Sequence, residues 1–270
     1  MKKAIPINAY FKIAQTSWLR GIEYRFGVFY MILEAFLPTV AMFLMWKAIY
    51  ANGDTVANYS LNQLITYFIG ARIINYLIWY QVDWDLNEKI NKGILSSLLL
   101  KPIDVQAYYV SEMIGDRFVK FFLGCIPLSI IMLILKKYIS ISLDLKSIII
   151  FIIAIIGSAA LWFLLSWIIG CYAFWAHNLV NILFVKHLII TILSGGFFPL
   201  DLLPHTIVRV IDFTPFPYLA FFPLKIITGS ASQDYIVHGL IVQLIWIILF
   251  FILGRVIWRK GVKNYVEVGG

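Results

Sequence analysis

The sequence predicts an all-α polytopic membrane protein with six transmembrane helices, and three observations carry that prediction. Hydrophobic residues make up 61% of the 270-residue chain before its 17 glycines are counted, where a soluble domain has roughly 45–50% with glycine included. Charged residues are 13%, half the usual ~25%. Six apolar stretches each approach the ~20 residues that a helix needs to cross a bilayer. With a mean hydropathy of +0.87, a water-soluble globule could not cover itself. Soluble enzyme, nucleic-acid-binding domain, disordered segment and disulfide scaffold are therefore poor fits. No internal repeat is evident, so residues 1–270 read as a single transmembrane domain.

The first element precedes the spans. Over residues 7–25, Ile7, Tyr10, Phe11, Ala14, Trp18 and Ile22 recur at helical spacing opposite Asn8, Lys12, Gln15, Arg20 and Glu23. A helix with aromatic residues on such a face is expected to lie flat in the inner membrane interface. The first 25 residues lack the unbroken apolar core of a cleavable signal peptide. Spans one and two then follow at about Phe26–Tyr50 and Ser60–Val82.

Between spans two and three lies Asp83–Asp104. Leu86, Ile90, Ile94 and Leu98 fall at i, i+4 spacing, with Asp85, Glu88, Lys89 and Lys92 on another face and Pro102 as terminator. One short amphipathic cytosolic helix is expected, suited to docking a soluble partner. Spans three, four and five are expected at about Val110–Leu135, Ser147–Phe174 and Ile182–Phe198. The next segment, Gly195–Gly229, is apolar on average, yet Pro199, Pro204, Pro215, Pro217 and Pro223 forbid one continuous helix. Short broken helices dipping into the outer leaflet are expected there. Span six follows at about Ile236–Ile257.

Basic residues orient the spans. With the N-terminus inside, the inner side holds Lys2, Lys3, Lys12, Arg20, Arg25, Lys89, Lys92, Lys101, Arg255, Arg259, Lys260 and Lys263. The outer side holds Lys136, Lys137, Lys146, Arg209 and Lys225. Twelve against five favours both termini inside, although the Lys136–Lys137 pair counts against it locally. The net charge of +8 then reflects cytoplasmic loops facing anionic lipid headgroups, not a nucleic-acid partner.

Ionisable residues inside spans carry the functional hypothesis. From the cytoplasmic edge, Glu34 lies about 12 Å deep, Arg72 about 15 Å, and Asp116 and Arg117 about 9–10 Å. The four share one layer, as a structural ion-pair cluster or as the lining of a substrate path. Lys47, Lys120 and Lys186 are expected to snorkel from near span ends. Cys125 and Cys171 sit in apolar runs as small hydrophobes. His177, His187, His205 and His238 are scattered and read as packing residues. The sequence shows no phosphate-binding GxxxxGK[ST] loop, no GxSxG and no HExxH. No catalytic site, bound cofactor or metal is expected.

The pattern resembles the membrane subunits of bacterial type-2 ATP-binding-cassette (ABC) exporters, the drug, antibiotic and polysaccharide exporter class. It is most similar to the uncharacterised and viologen-exporter-like branch. The residues that carry the resemblance are Tyr24-Arg25, "INKGILSSLLLKPID" (Ile90–Asp104), "SGGFFPLDLLP" (Ser194–Pro204) and the terminal "GVKNYVEVGG" (Gly261–Gly270). The resemblance implies six spans in the bacterial cytoplasmic membrane, and a coupling helix at residues 83–104 with Leu86, Glu88, Lys89, Ile90, Lys92 and Ile94 at the ATPase contact. It also implies re-entrant helices at 195–229, a separate cytosolic ABC ATPase that holds ATP and Mg, and a second permease, identical or paralogous. The expected role is a permease half-subunit that exports a hydrophobic or amphipathic small molecule, peptide or lipid-like substrate. The rival is a membrane-embedded lipid or cell-wall transferase. A secondary transporter is disfavoured by the missing repeat.

Overall fold

A computed structural model describes residues 7–23, 25–51, 59–139, 144–176 and 179–265. Tyr24, His177 and residues 266–270 of the terminal motif lie outside the described residues. Every regular element among the described residues is a helix. In chain order these are α1 (Ile7–Glu23), α2 (Arg25–Tyr50), α3 (Leu61–Ile78), α4 (Val82–Asn91), α5 (Ser96–Leu99), α6 (Val105–Ile134), α7 (Leu145–Cys171), α8 (Val180–Leu193), α9 (His205–Asp212), α10 (Phe221–Ile227) and α11 (Gln233–Asn264).

Local chemistry starts the long helices where the apolar runs begin. Ser60 and Gln63 form a capping box on α3, each side chain bonded to the other's backbone N–H. Asp104, Asp144 and Ser232 accept from the backbone N–H of Ala107, Ser147 and Tyr235 at the heads of α6, α7 and α11. The Asp104 cap starts α6 five residues before the expected span, so α6 reaches 30 residues.

Among the described residues, four helical stretches are long and apolar enough to cross a membrane: Ile32–Tyr50, Val105–Ile134, Leu145–Phe174 and Gln233–Asn264. The two other expected spans differ. α3 has 18 residues and carries Asn62, Gln63, Arg72 and Asn75. α8 has 14 residues and rises ~21 Å, short of the ~30 Å hydrocarbon core. It ends at Leu193, capped by Ser194, because Gly195 turns away at φ +77°, five residues before the expected end.

α7 is the centre of the bundle. Its Leu161, Trp162, Phe163, Leu164, Trp167 and Cys171 are buried, and the Trp167 ring meets Tyr109, Phe163 and Trp258 at centroid separations of 5.8, 6.1 and 4.8 Å. One end of the bundle gathers α4, α5, the start of α1 and the end of α11. There Arg255 of α11 pairs with Asp104 at 2.6 Å, and the Tyr10 hydroxyl accepts from the Asp104 N–H at 3.3 Å.

α1 runs alongside α6 in the same sense. Ala9, Tyr10, Ile13, Ala14, Ser17 and Gly21 are half-buried on α1, and Ser17 donates to the Glu112 carbonyl at 3.0 Å. The expected apolar face is thus divided. Tyr10 and Ala14 turn towards α6, while Phe11 and Trp18 stay exposed with Leu19. Trp18 still reaches Phe118 at 4.7 Å between centroids.

The opposite end holds residues 195–229, which form short helices as their prolines require. α10 and the turn before it are buried, from Pro217 to Leu224. Backbone carbonyls that short helices leave unpaired need other partners, because a free carbonyl in an apolar core costs about 1–3 kcal/mol. Ser158 of α7 and Gln243 of α11 both donate to the Tyr218 carbonyl, at 2.7 and 3.1 Å. Gln243 also donates to the Ala154 carbonyl at 3.0 Å, and Gly157 leaves room for it, since a Cβ there would lie 2.4 Å from the Gln243 Oε1.

Candidate functional site

Two adjoining cavities open between α2, α3, α6 and α8, of about 500 and 580 Å³. Glu34, Asn75, Trp79 and His187 border both, and the adjoining pair is taken together as the chamber. Its walls are largely apolar and aromatic, with Phe68 and Phe197 on one side and Tyr30, Trp84 and Phe184 on the other. His187 lies flat on Trp79, with ring centroids 4.0 Å apart and planes 5° apart.

The four ionisable residues expected to share one cluster form two separate pairs, and Glu34, Arg72 and Arg117 border the chamber. Arg72 Nη1 lies 3.4 Å from Glu34 Oε1. On α6, Arg117 Nε donates to Asp116 at 2.9 Å, and Lys120 Nζ approaches the same carboxylate at 3.1 Å. Glu34 and Arg72 border the first cavity, and Glu34, Arg117 and Lys120 border the second. Asp116 lines neither cavity and is engaged by Arg117 and Lys120 of its own helix. α2 is softened at the same level. Pro38 has no N–H for the Glu34 carbonyl, and Thr39 bonds back to the Ala35 carbonyl at 2.7 Å, two features that bend helices.

The expected coupling segment differs from the single helix read in the sequence. After α3, Trp79–Gln81 make a non-helical elbow. Arg117 holds the Trp79 carbonyl, and Trp162 Nε1 donates to the Tyr80 carbonyl at 2.8 Å. α4 then runs only to Asn91, because Gly93 adopts φ +73°, a left-handed turn that glycine enters without strain. The Gly93 and Leu95 N–H groups return to the Ile90 and Lys89 carbonyls at 3.2 and 3.0 Å, and a second short helix, α5, follows.

This break rearranges the apolar face. Leu86 and Ile90 are buried in the bundle, with Leu86 against Gly170 of α7. They are core residues and cannot offer a free docking face. Leu95 and Leu98 are buried as well, whereas Ile94 is 47% and Leu100 86% exposed. The outer surface therefore includes Glu88, Lys92, Ile94, Ser97, Leu100 and Lys101. Lys92 sits 2.7 Å from Glu88, and its hydrogen bond holds the Glu88 carboxyl below the usual range. Lys89 instead turns inward, to Asp85 at 2.6 Å and the Tyr109 hydroxyl at 3.3 Å.

Sequence reasoning missed one pair. Lys186 was expected to snorkel, yet it is buried and bonded to Asp83, which has no exposed surface. Lys120 likewise pairs with Asp116 instead of reaching a span end, while Lys47 is exposed at the end of α2. A lysine four residues inside an apolar run, with no acid on its own helix, was the available signal for a buried partner elsewhere. At the clamp between the chain ends, burial opposes the Asp104 charge. The hydrogen bonds from Arg255 and the Ala107 N–H outweigh it and hold that carboxyl below the ordinary range.

Compared with known proteins, residues 36–269 match a family model described as "ABC-2 family transporter protein". No curated protein matches the chain.

Proposed function

We propose, from the premise that this chain belongs to the ABC-2 family of transporter membrane proteins, that it is the permease half-subunit of an ATP-driven exporter. Membership makes it a multi-pass membrane component that works with an ABC ATPase and is not itself the ATPase. The finer reading is ours. The chamber between α2, α3, α6 and α8 forms part of the path of a hydrophobic or amphipathic small molecule, peptide or lipid-like substrate. The α4–α5 tip faces the cytosol of a bacterial cell and meets the ATPase, which holds the ATP and Mg. A second permease, identical or paralogous, completes the path. α3 and α8 serve as the second and fifth spans, lengthened by the elbow and by the turns after Gly195.

The observation that carries this reading is the continuity from tip to chamber. The exposed tip, the elbow and the chamber wall at Trp79 follow one another within about 20 residues of chain. The transferase alternative is not favoured. Glu34, the acid that borders the chamber, is engaged with Arg72, and His187 is stacked flat on Trp79.

Two variants test the reading. Ile94→Asp places a charge on an exposed tip residue, so folding is expected to be unaffected. If that tip is desolvated by an ATPase, the buried charge costs several kcal/mol. The expected result is a correctly inserted permease that no longer co-purifies with its ATPase, and normal co-purification would remove α4–α5 as the docking element. Arg72→Gln tests the chamber. The Arg72 and Glu34 side chains are 25% and 36% exposed, so breaking the pair is expected to cost at most ~1 kcal/mol of stability. Melting close to wild type with reduced transport is the expected outcome, and unchanged transport would leave the pair a structural one.

A further inference from the structure

The proposed function joins a docking tip to a chamber, and the physical link between them is the question. α4 meets α8 and Leu179, the residue before it, through polar and aromatic contacts. Asp83 pairs with Lys186. Trp84 meets Phe184 edge-on at 5.0 Å. The Asn87 side chain accepts from the Leu179 N–H at 3.2 Å. α8 in turn supplies His187 and Thr191 to the chamber.

The first contact differs in kind from the rest of the α4 packing. Leu86 and Ile90 hold α4 to the core through apolar contacts, which are non-directional and permit sliding. A buried ion pair does not slide without separating charge in a low-dielectric interior. Lys186 sits in a fork between two helices. Its Nζ bonds Asp83 of α4, lies 3.2 Å from the Ser166 hydroxyl of α7 and stands 4.9 Å over the Trp162 ring. When α4 shifts against α7, Lys186 follows the carboxylate, because a charge-assisted hydrogen bond outweighs a neutral one. The close approach that keeps this geometry is built in: a Cβ at Gly170 would lie 2.8 Å from the Asp83 Cα. Lys186 also precedes His187, which stacks on Trp79 across the chamber, so movement of α8 reshapes the chamber wall directly.

We propose that the Asp83–Lys186 pair is the tether through which displacement of the α4–α5 tip moves α8 and opens or closes the chamber. Both residues are positioning residues. The proposal rests on the exporter reading, in which an ATPase pushes that tip.

The test uses the intact permease with its ATPase, with Cys125 and Cys171 replaced by alanine and a reporter Thr191→Cys in the chamber wall. The thiol-labelling rate is measured without nucleotide and with ATP trapped by vanadate. Asp83→Leu/Lys186→Met is the test variant, because it removes both charges together while keeping similar volumes and so leaves no unpaired ion. In the parent a roughly tenfold nucleotide-dependent change in labelling is expected, as for a substantial population shift. In the double variant the ATPase stays bound and hydrolyses ATP, while the change falls below about twofold by the same reasoning. The exchanged pair Asp83→Lys/Lys186→Asp, where it folds, is expected to restore part of the change. A double variant with the full nucleotide-dependent change overturns the tether and leaves the exporter reading standing. A parent chain that binds no ATPase overturns that reading and the tether with it.

Discussion

Lys186→Ala is expected to cost the fold about 3–5 kcal/mol, because it strands a carboxylate in the protein interior. Asp83 has no exposed side-chain surface. Its Oδ1 has no hydrogen-bond partner among the described residues, so nothing nearby takes over the charge when the lysine goes. Against a total stability of ~5–15 kcal/mol, the loss is expected as a sharp fall in folded yield and melting temperature in detergent. Asp83→Leu/Lys186→Met is the counterpart. Replacing a buried ion pair by apolar residues of similar size is often neutral or stabilising by ~1–4 kcal/mol. A Lys186→Ala protein that melts like wild type would mean that Asp83 reaches water or another cation.

The second large effect is expected where α1 meets α6. A Cβ on Gly115 would lie 2.0 Å from the Ala14 carbonyl oxygen and 2.9 Å from its carbon. The obstacle is backbone, which cannot rotate away as a side chain would, so Gly115→Val must push the helices apart. Overpacking of this kind costs ~1–3 kcal/mol, set against the other points that hold α1 to α6, among them Ser17–Glu112, Arg20–Glu112 and Trp18–Phe118. Displacement of α1 along this seam is expected, with the rest of the bundle intact. Cysteines at positions 17 and 112 report it in a chain with Cys125 and Cys171 replaced, because Ser17 donates to the Glu112 carbonyl at 3.0 Å. The cross-link is expected with Gly115 and absent with valine. Its persistence would show that α1 tolerates the added methyl groups in place.

The parts of the fold legible in the sequence are those decided by hydrophobic length. Four of the expected spans coincide with long apolar helices, and the prolines between residues 199 and 223 did break that segment into short pieces. What escaped was rotation about a helix axis. Depth along a span follows from a fixed rise per residue, so Glu34, Arg72 and Arg117 could be assigned to one layer, and they do border one chamber. Which way Asp116 points depends on neighbours that periodicity does not specify. The spacing of Leu86, Ile90, Ile94 and Leu98 reads as one continuous face, but the left-handed turn at Gly93 substitutes Leu95 for Ile94 in the core. Lys186 and its partner lie 103 positions apart, and no local pattern joins them. The exposed tip residue Leu100 was likewise hidden, since in a run of three leucines only the break at Gly93 decides which one leaves the core.

The Tyr218 carbonyl, held by Ser158 and Gln243 across the opening at Gly157, has a consequence for how this chain can vary over evolutionary time. The four positions come from α7, α11 and the turn before α10, yet each fixes what the others tolerate. A side chain at position 157 would displace the Gln243 amide, and a shorter residue at 243 would withdraw that amide from both carbonyls and leave the single Ser158 hydroxyl to serve them. Single changes at either position therefore pass through a poorly tolerated intermediate, while a paired exchange need not. Related chains are expected to keep glycine and glutamine at these positions together or to have lost them together, a covariation that a collection of homologous sequences would reveal without any experiment on the protein.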